Sequence, residues 1–299
     1  MPELPEVETV RRQLAPHLEG REIVEVEILD PRWTRPLPPG PIQEELRGAV
    51  IERVARSGKY LDISFTDDRH LLVHLRMTGA LLLDPPVDPP HTRVRAELDD
   101  GHRLVYVDPR RFGTAHLLHS SAARDAYFDQ RLGVEPLTPA FTPEQLRSVA
   151  SGRRAPAQSF LLDQRAIAGV GNIYADEALF RAGIHPLRQA GRLTRAQWSR
   201  LRDAIEDALA AGIDAQGASI DDFRHIDGAR GSFQDRFLVH TRAGEPCPRC
   251  GRDVRKIVVG GRGTYVCERC QPRPRARSAA TGRASGRQEP GETTLAVGG

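Results

Sequence analysis

The stretch Lys59-Tyr60-Leu61-Asp62-Ile63-Ser64-Phe65 alternates in polarity, with Leu61, Ile63 and Phe65 on one face. Successive side chains of a strand point to opposite sides, so this is the pattern of a strand laid against a core. Similar short segments lie on both sides of it. Residues 22–29 are rich in Ile and Val, and 70–75, 80–83, 93–98 and 103–107 repeat the strand-like character. Turn signals separate them at Asp99-Asp100-Gly101 and in the prolines of 85–90. Several short strands at this spacing predict a β-sandwich or barrel. Ahead of them, residues 3–18 place Val7, Val10, Leu14 and Leu18 on one helical stripe, with Pro5 in the first turn, where proline is tolerated. The expected first domain, residues 1–132, is therefore a β-sandwich with a leading helix.

Beyond residue 132 the period changes. Segments 124–132, 143–151 and 158–162 read as helices. Asn172 is expected to cap a helix that runs through Ile173, Leu179 and Phe180 to Gly183. Thr194-Arg195-Ala196-Gln197 is a capping box, and Trp198, Leu201, Ile205 and Leu209 form the stripe behind it, with Gly212 expected to close that helix. These segments define a helical domain over 133–235. Residues 236–271 carry all four cysteines, and 272–299 is an Arg-, Gly-, Ser- and Ala-rich tail expected to be disordered. The fold class is α+β multidomain.

The formal net charge is +3 over 299 residues, and the tail's five arginines and two glutamates account for it. The body is near neutral, so a site for a polyanion must arise from arrangement. Lys59 and Lys256 are the only lysines, against a background of arginine. Lysine gives up a proton far more readily than arginine, which singles out Lys59. No run of about 18 apolar residues appears, which argues against a membrane span. No basic segment leads into an apolar one at the N-terminus, and the expected compartment is the cytosol.

Four motifs carry chemistry. The first is the start, Met1-Pro2-Glu3-Leu4-Pro5-Glu6-Val7. Removal of Met1 would leave Pro2 as a secondary amine beside a carboxylate. A terminal amine has a pKa of about 7.7–8.0, so roughly a tenth of it is nucleophilic at pH 7. Its attack on an aldehyde-like carbon gives a cationic iminium, an electron sink of the Schiff-base kind. The second is Cys247-Pro248-Arg249-Cys250 and Cys267-Glu268-Arg269-Cys270, two C-x2-C pairs that fit a tetrathiolate zinc site. Between them, two strand-like segments joined by Gly260-Gly261-Arg262-Gly263 would project Arg262 from the turn of a zinc-pinned hairpin, well suited to a phosphate. The third is Ala168-Gly169-Val170-Gly171-Asn172-Ile173-Tyr174, a glycine turn at a helix start, which either grips a polynucleotide backbone or simply packs. The fourth pairs Asp108-Pro109-Arg110-Arg111-Phe112-Gly113 with His74-Leu75-Arg76-Met77-Thr78-Gly79. Arginine, phenylalanine and methionine on neighbouring loops make a wedge of the type that unstacks duplex DNA, as an enzyme acting on an extruded base requires.

With these motifs in place the chain resembles the bacterial formamidopyrimidine-DNA glycosylase family, in its oxidised-purine branch. The markers are Pro2–Thr9, Gly58-Lys59-Tyr60-Leu61, 108–113, Leu162-Asp163-Gln164, 169–176, Gly183-Ile184-His185-Pro186, and the cysteine pairs flanking Gly261-Arg262-Gly263-Thr264. The resemblance runs from Pro2 to Gln271. It implies a β-sandwich with its helix, a helix–two-turn–helix domain and a zinc hairpin over 236–271, with damaged double-stranded DNA between the halves. It implies one structural zinc on Cys247, Cys250, Cys267 and Cys270, no membrane, a monomer, and a bacterial cytoplasmic, nucleoid-associated location. By the same resemblance Pro2 attacks C1′, Glu3 handles protons, Lys59 contacts phosphate and donates a proton in elimination, and Arg262 serves the final elimination. Asn172 and Arg262 hold phosphates flanking the lesion; His91, Arg110 and Arg153 contact DNA. Met77, Arg110 and Phe112 fill the void, and 216–233 covers the extruded base. The implied activity is base-excision repair by a bifunctional glycosylase and lyase, with an oxidised-pyrimidine glycosylase and a non-cleaving lesion binder as alternatives. Gln158 stands where many relatives carry lysine, Arg76 where glycine is common, and the tail is longer than usual.

Overall fold

A computed structural model gives the structure of the protein and describes residues 1–220 and 223–274. The expected tail lies almost wholly outside the described residues. The chain opens with α1 (Leu4–Leu18), whose Val7, Val10, Leu14 and Leu18 are buried as the stripe predicts. Two antiparallel sheets follow. One has the order β1 (Ile23–Ile28), β6 (Thr92–Leu98), β7 (Arg103–Val107), β5 (Ala80–Leu83). The other has the order β2 (Ile51–Ser57), β3 (Tyr60–Phe65), β4 (His70–His74), β8 (Thr114–Leu118). Their inner faces share one apolar core with α1, in which Leu61, Ile63 and Phe65 sit beside Val26, Val94 and Leu98.

β3 is buried on both faces, which the alternation alone does not reveal. The helix α3 (Ser121–Asp129) covers its outer side, where Tyr60 packs on Phe128 at 5.7 Å and Arg124 binds Asp62 at 2.8 Å. α3 starts three residues before the expected 124 because the Ser120 hydroxyl accepts the Ala123 N–H. Among the α-helices and strands, α2 (Pro39–Leu46), β2 and β8 lie outside the expected set. α2 begins in a Pro/Gly run that reads as loop, and β2 buries fully only Ile51 and Val54.

The helical half comprises α4 (Pro143–Ala150), α5 (Ala157–Leu162), α6 (Asn172–Ala182) and α7 (Arg195–Asp214). The Thr194 capping box opens α7, and Trp198, Leu201, Ile205 and Leu209 are buried in the second core. Gly183, at φ 68°, ends α6 as expected. Gly212 does not end α7. It lies inside the helix because the Tyr174 ring presses on it; a Cβ there would sit 2.5 Å from that ring. Leu4 belongs to this helical core while the rest of the α1 stripe belongs to the sandwich, so the first helix joins the two halves. The C-terminal hairpin pairs β9 (Arg255–Val259) with β10 (Arg262–Val266). Among the described residues no helix is long and apolar enough to cross a membrane.

Candidate active site and nucleic-acid interface

The two halves meet over the glycine turn before α6. The turn packs, and its helix dipole is already matched by an anion of the chain's own. The Glu3 carboxylate accepts the Ile173 N–H at 3.0 Å and the Tyr174 N–H at 3.4 Å. Helix N-termini hold such groups favourably. Two glycines make this approach possible: a Cβ on Gly169 would fall 2.7 Å from Leu4, and one on Gly171 would fall 2.2 Å from the Glu3 Cδ. Gly171, not Asn172, is the capping residue of α6. The Asn172 side chain makes other bonds instead. Its Oδ1 accepts from Gln158, and its Nδ2 donates to the Gly263 carbonyl at 2.8 Å. The second of these ties α6 to the hairpin. Gln158, buried in α5, thus orients Asn172.

Pro2, Glu3, Met77, Asn172 and Arg262 line one cleft of about 270 Å³, together with Met1, Glu6, Ile173, Ala218, Ile220, Phe223 and His240. Pro2 is buried, and Met1, 47% exposed, stands in front of it. Lys59 is buried close by. Burial pushes its ammonium below the ordinary lysine range, against the opposing pull of Glu3 and Glu6. Burial raises the Glu3 carboxyl, and the Lys59 charge counters it. Each group is held part-way toward neutrality, the condition for moving protons near neutral pH.

Arg262 comes from the opposite end of the chain. Gly260 and Gly261, at φ 55° and 77°, form the two-residue turn between β9 and β10, and Arg262 pairs with Val259 as the first residue of β10. The expected four-residue turn is therefore two residues long, with the left-handed glycines that a tight hairpin demands. Arg262 is exposed. The base of the hairpin carries Cys247, Cys250, Cys267 and Cys270, whose sulfurs all lie within 4.8 Å of one another. The Cys247–Cys270 and Cys250–Cys267 sulfurs are 3.8 Å and 3.5 Å apart. Four sulfurs at about 2.3 Å from one tetrahedral zinc would stand about 3.8 Å apart, so the thiols fit that ion. Arg249, between the first pair, donates to the Phe180 and Arg181 carbonyls at the end of α6, docking the finger on the helix.

Of the residues expected to form the wedge, Arg110 and Phe112 meet, while Met77 lines the Pro2 cleft. Met77 and Phe112 are 41% and 51% exposed, large apolar side chains left in solvent. The Arg110 guanidinium lies 4.9 Å over the Phe112 ring. Buried Asp108 organises both loops: it accepts the Arg110 N–H at 3.2 Å, the Gly113 N–H at 2.8 Å and the Thr78 hydroxyl, and its own N–H bonds the His91 carbonyl. Arg76 sits at φ 55°, a left-handed conformation, which gives the physical reason a glycine suits this position. His91, Arg110 and Phe112 are exposed and do not line the Pro2 cleft, and Arg153 lies elsewhere, paired with Asp163 at 2.8 Å.

Several residues at the site escaped sequence reasoning. Glu6 accepts the Glu3 N–H, the Tyr174 hydroxyl and the Ala218 N–H, each at 2.8 Å, and so links the N-terminus, α6 and the loop over the cleft. Its three-residue spacing from Glu3 was the available signal. Glu135 accepts the Gly58 N–H at 2.9 Å and braces the turn before Lys59. His240 lines the cleft with its Nδ1 2.8 Å from buried Asp176. Nothing in the sequence distinguishes those carboxylates from surface ones.

Comparison with known proteins agrees with this geometry. Residues 1–115 match the family described as Formamidopyrimidine-DNA glycosylase N-terminal domain, 132–224 the Formamidopyrimidine-DNA glycosylase H2TH domain, and 244–273 the zinc finger found in FPG and IleRS. The last match and the thiol geometry assign one structural zinc ion to the four cysteines. The formamidopyrimidine-DNA glycosylase of Symbiobacterium thermophilum is 46% identical over 276 residues, 92% of this chain and 90% of the relative. The crystal structure of the MutM (Fpg) protein from Thermus thermophilus superposes with a TM-score of 0.81 at 41% identity, over 90% of this chain and 98% of that one. A complex between the wild-type Lactococcus lactis Fpg and DNA containing N7-benzyl-Fapy-dG superposes with a TM-score of 0.84 at 35% identity, over 91% and 100%.

Proposed function

The chain belongs to the formamidopyrimidine-DNA glycosylase family, and from that premise we propose that it excises oxidised purines from duplex DNA and then cuts the strand. The observation that carries this reading is the single cleft shared by Pro2, Glu3, Asn172 and Arg262. Once Met1 is removed, the Pro2 nitrogen lone pair is freed from amide resonance and becomes nucleophilic. It attacks C1′ of the damaged nucleotide, the glycosidic bond breaks, and the base leaves with a proton supplied through Glu3. The sugar ring opens and a Pro2–C1′ iminium forms.

The iminium charge acidifies the C2′ hydrogen. Loss of that proton expels the 3′ phosphate by β-elimination, and a second elimination expels the 5′ phosphate. Lys59, held below its ordinary range by burial, supplies a proton in the first elimination, and Arg262 serves the second. Asn172 and Arg262 hold the flanking phosphates, and His91, Arg110 and Arg153 contact the backbone. Met77, Arg110 and Phe112 fill the space left by the extruded base. Residues 216–233, of which 221 and 222 are not described, cover that base. Zinc only shapes the hairpin.

The test is borohydride trapping on duplexes containing 8-oxoguanine opposite cytosine. The native chain is expected to give a covalent adduct and a nicked product. Pro2→Gly is expected to keep most lesion affinity while losing both. Nicking by Pro2→Gly at the native rate would overturn the nucleophile. A native chain that binds without trapping would be a lesion reader, and preference for thymine glycol would move it to the pyrimidine branch.

A further inference from the structure

The segments 152–157 and 188–192 run side by side at the end of the helical half. Pro156 and Gln189 form an antiparallel bridge, the Ala157 N–H bonds the Arg188 carbonyl at 2.7 Å, and the Ala190 N–H bonds the Ala155 carbonyl at 2.9 Å. Gly191 allows the close crossing, since a Cβ there would fall 2.7 Å from the Arg153 carbonyl oxygen. Between the two segments lies an open cavity of about 500 Å³ lined by Gly152, Arg153, Arg154, Gln189, Gly191 and Arg192. Three of those six residues are arginines and none is acidic. Arg153 is fixed by Asp163 and lies 5.4 Å over the Phe160 ring. Arg154 and Arg192 are exposed, and among the described residues neither has a carboxylate partner. Backbone hydrogen bonds join the two segments, and both arginines line one cavity that holds no acidic residue.

The cavity also has a defined place relative to the catalytic cleft. Arg154 precedes Gln158 by four residues, and Gln158 bonds Asn172 on the cleft wall at 3.0 Å. Four residues span at most about 14 Å of backbone, so the cavity opens near that wall. We propose that Arg154 and Arg192 form a second phosphate clamp, which grips the duplex backbone beside the cleft. The proposal rests on the reading that damaged DNA occupies the cleft.

The test compares the native chain with Arg154→Ala/Arg192→Ala on duplexes of about 25 base pairs, with and without a lesion, over a salt titration. Each lost phosphate contact lowers the log–log salt slope by about 0.9, so the double variant is expected to lose about 1.8. Arg154→Lys/Arg192→Lys keeps the charges and is expected to keep most of the slope. An unchanged slope overturns the proposal. Tight binding of inorganic phosphate by calorimetry, with the duplex slope unchanged, would make this a small-anion site and likewise overturn it. Undamaged DNA reports the clamp independently of lesion chemistry. Failure of borohydride trapping would sink the glycosylase reading and leave this slope change in place.

Discussion

Glu3 and Arg262 reach one cleft from opposite ends of the chain, and they are held by different physics. Glu3 is 3% exposed, fixed by two N–H groups of α6 and by glycines that let its carbons touch the turn. Its position is a property of the whole interface between sandwich and helices. Arg262 is exposed and stands on a two-residue turn pinned by four thiols. Its position is local, set by a metal and a hairpin. On the proposed mechanism, the group that changes protonation is buried, where desolvation can shift it. The group proposed to meet a phosphate as a fixed cation is left in water on a local support.

Removing the zinc should therefore strike one side of this pair. Chelation, or Cys267→Ser, is expected to free the hairpin while the sandwich and helical cores, which are separate clusters, stay folded. A charge-assisted hydrogen bond is worth about 1.5–3 kcal/mol, so loss of the Arg262 contact alone should weaken lesion-duplex binding by roughly 10- to 100-fold. Asn172 loses its Gly263 partner in the same event. Fluorescence anisotropy beside circular dichroism checks this. Collapse of the whole fold on chelation would mean that the finger is not a local support.

Two glycine substitutions separate the mechanisms further. Gly171 has φ −126°, an ordinary value, so Gly171→Ala is costly only because its Cβ would strike Glu3. Overpacking of this kind costs about 1–3 kcal/mol. A methyl group added at Gly261 would meet nothing within 4 Å, but the residue sits at φ 77°, so Gly261→Ala is costly only through the backbone, by about 1–2 kcal/mol. Combined with Glu3→Ala, the first substitution should be largely relieved and the second unaffected, because only the first shares a contact with Glu3. Thermal melting of the single and double variants measures the coupling. Additivity at Gly171 would show that the turn relaxes away from Glu3.

This contrast was only half visible in the sequence. The hairpin was legible because its cause is local: two cysteine pairs and two adjacent glycines fix it within 24 residues, Cys247 to Cys270. The sandwich strands with alternating faces were legible for the same reason. β2 and α2 were not, because charged and Pro/Gly positions dilute their pattern. The Glu3 cradle was not legible either, since it joins residue 3 to residues 171–174. Asn172 looked like a cap because its neighbours allow one, but Glu3, supplied from far along the chain, caps the helix in its place. The carboxylates Glu6, Asp108, Glu135 and Asp176 share this feature: each has a partner distant in sequence.

The smallest expected shift in melting probes what the buried position costs. Burial raises the Glu3 carboxyl above its ordinary value. Over the interval between the unfolded and native values, the native chain holds a proton that the unfolded chain has lost. Stability therefore falls as pH rises through that interval, and the penalty is absent below the ordinary carboxylate range. Glu3→Gln cannot titrate and should escape the fall. It is expected to melt near the native chain at about pH 4 and above it at pH 7–8, while excision drops by about 10²–10⁴-fold from loss of the acid–base group. Lys59 trims the gain, because it loses a counter-charge and is driven further below its ordinary range. Melting curves across pH decide the matter. A Glu3→Gln chain that is less stable at every pH would mean that the bonds to Ile173 and Tyr174 outweigh burial, and that the carboxylate is held as a structural cap rather than as a strained proton carrier.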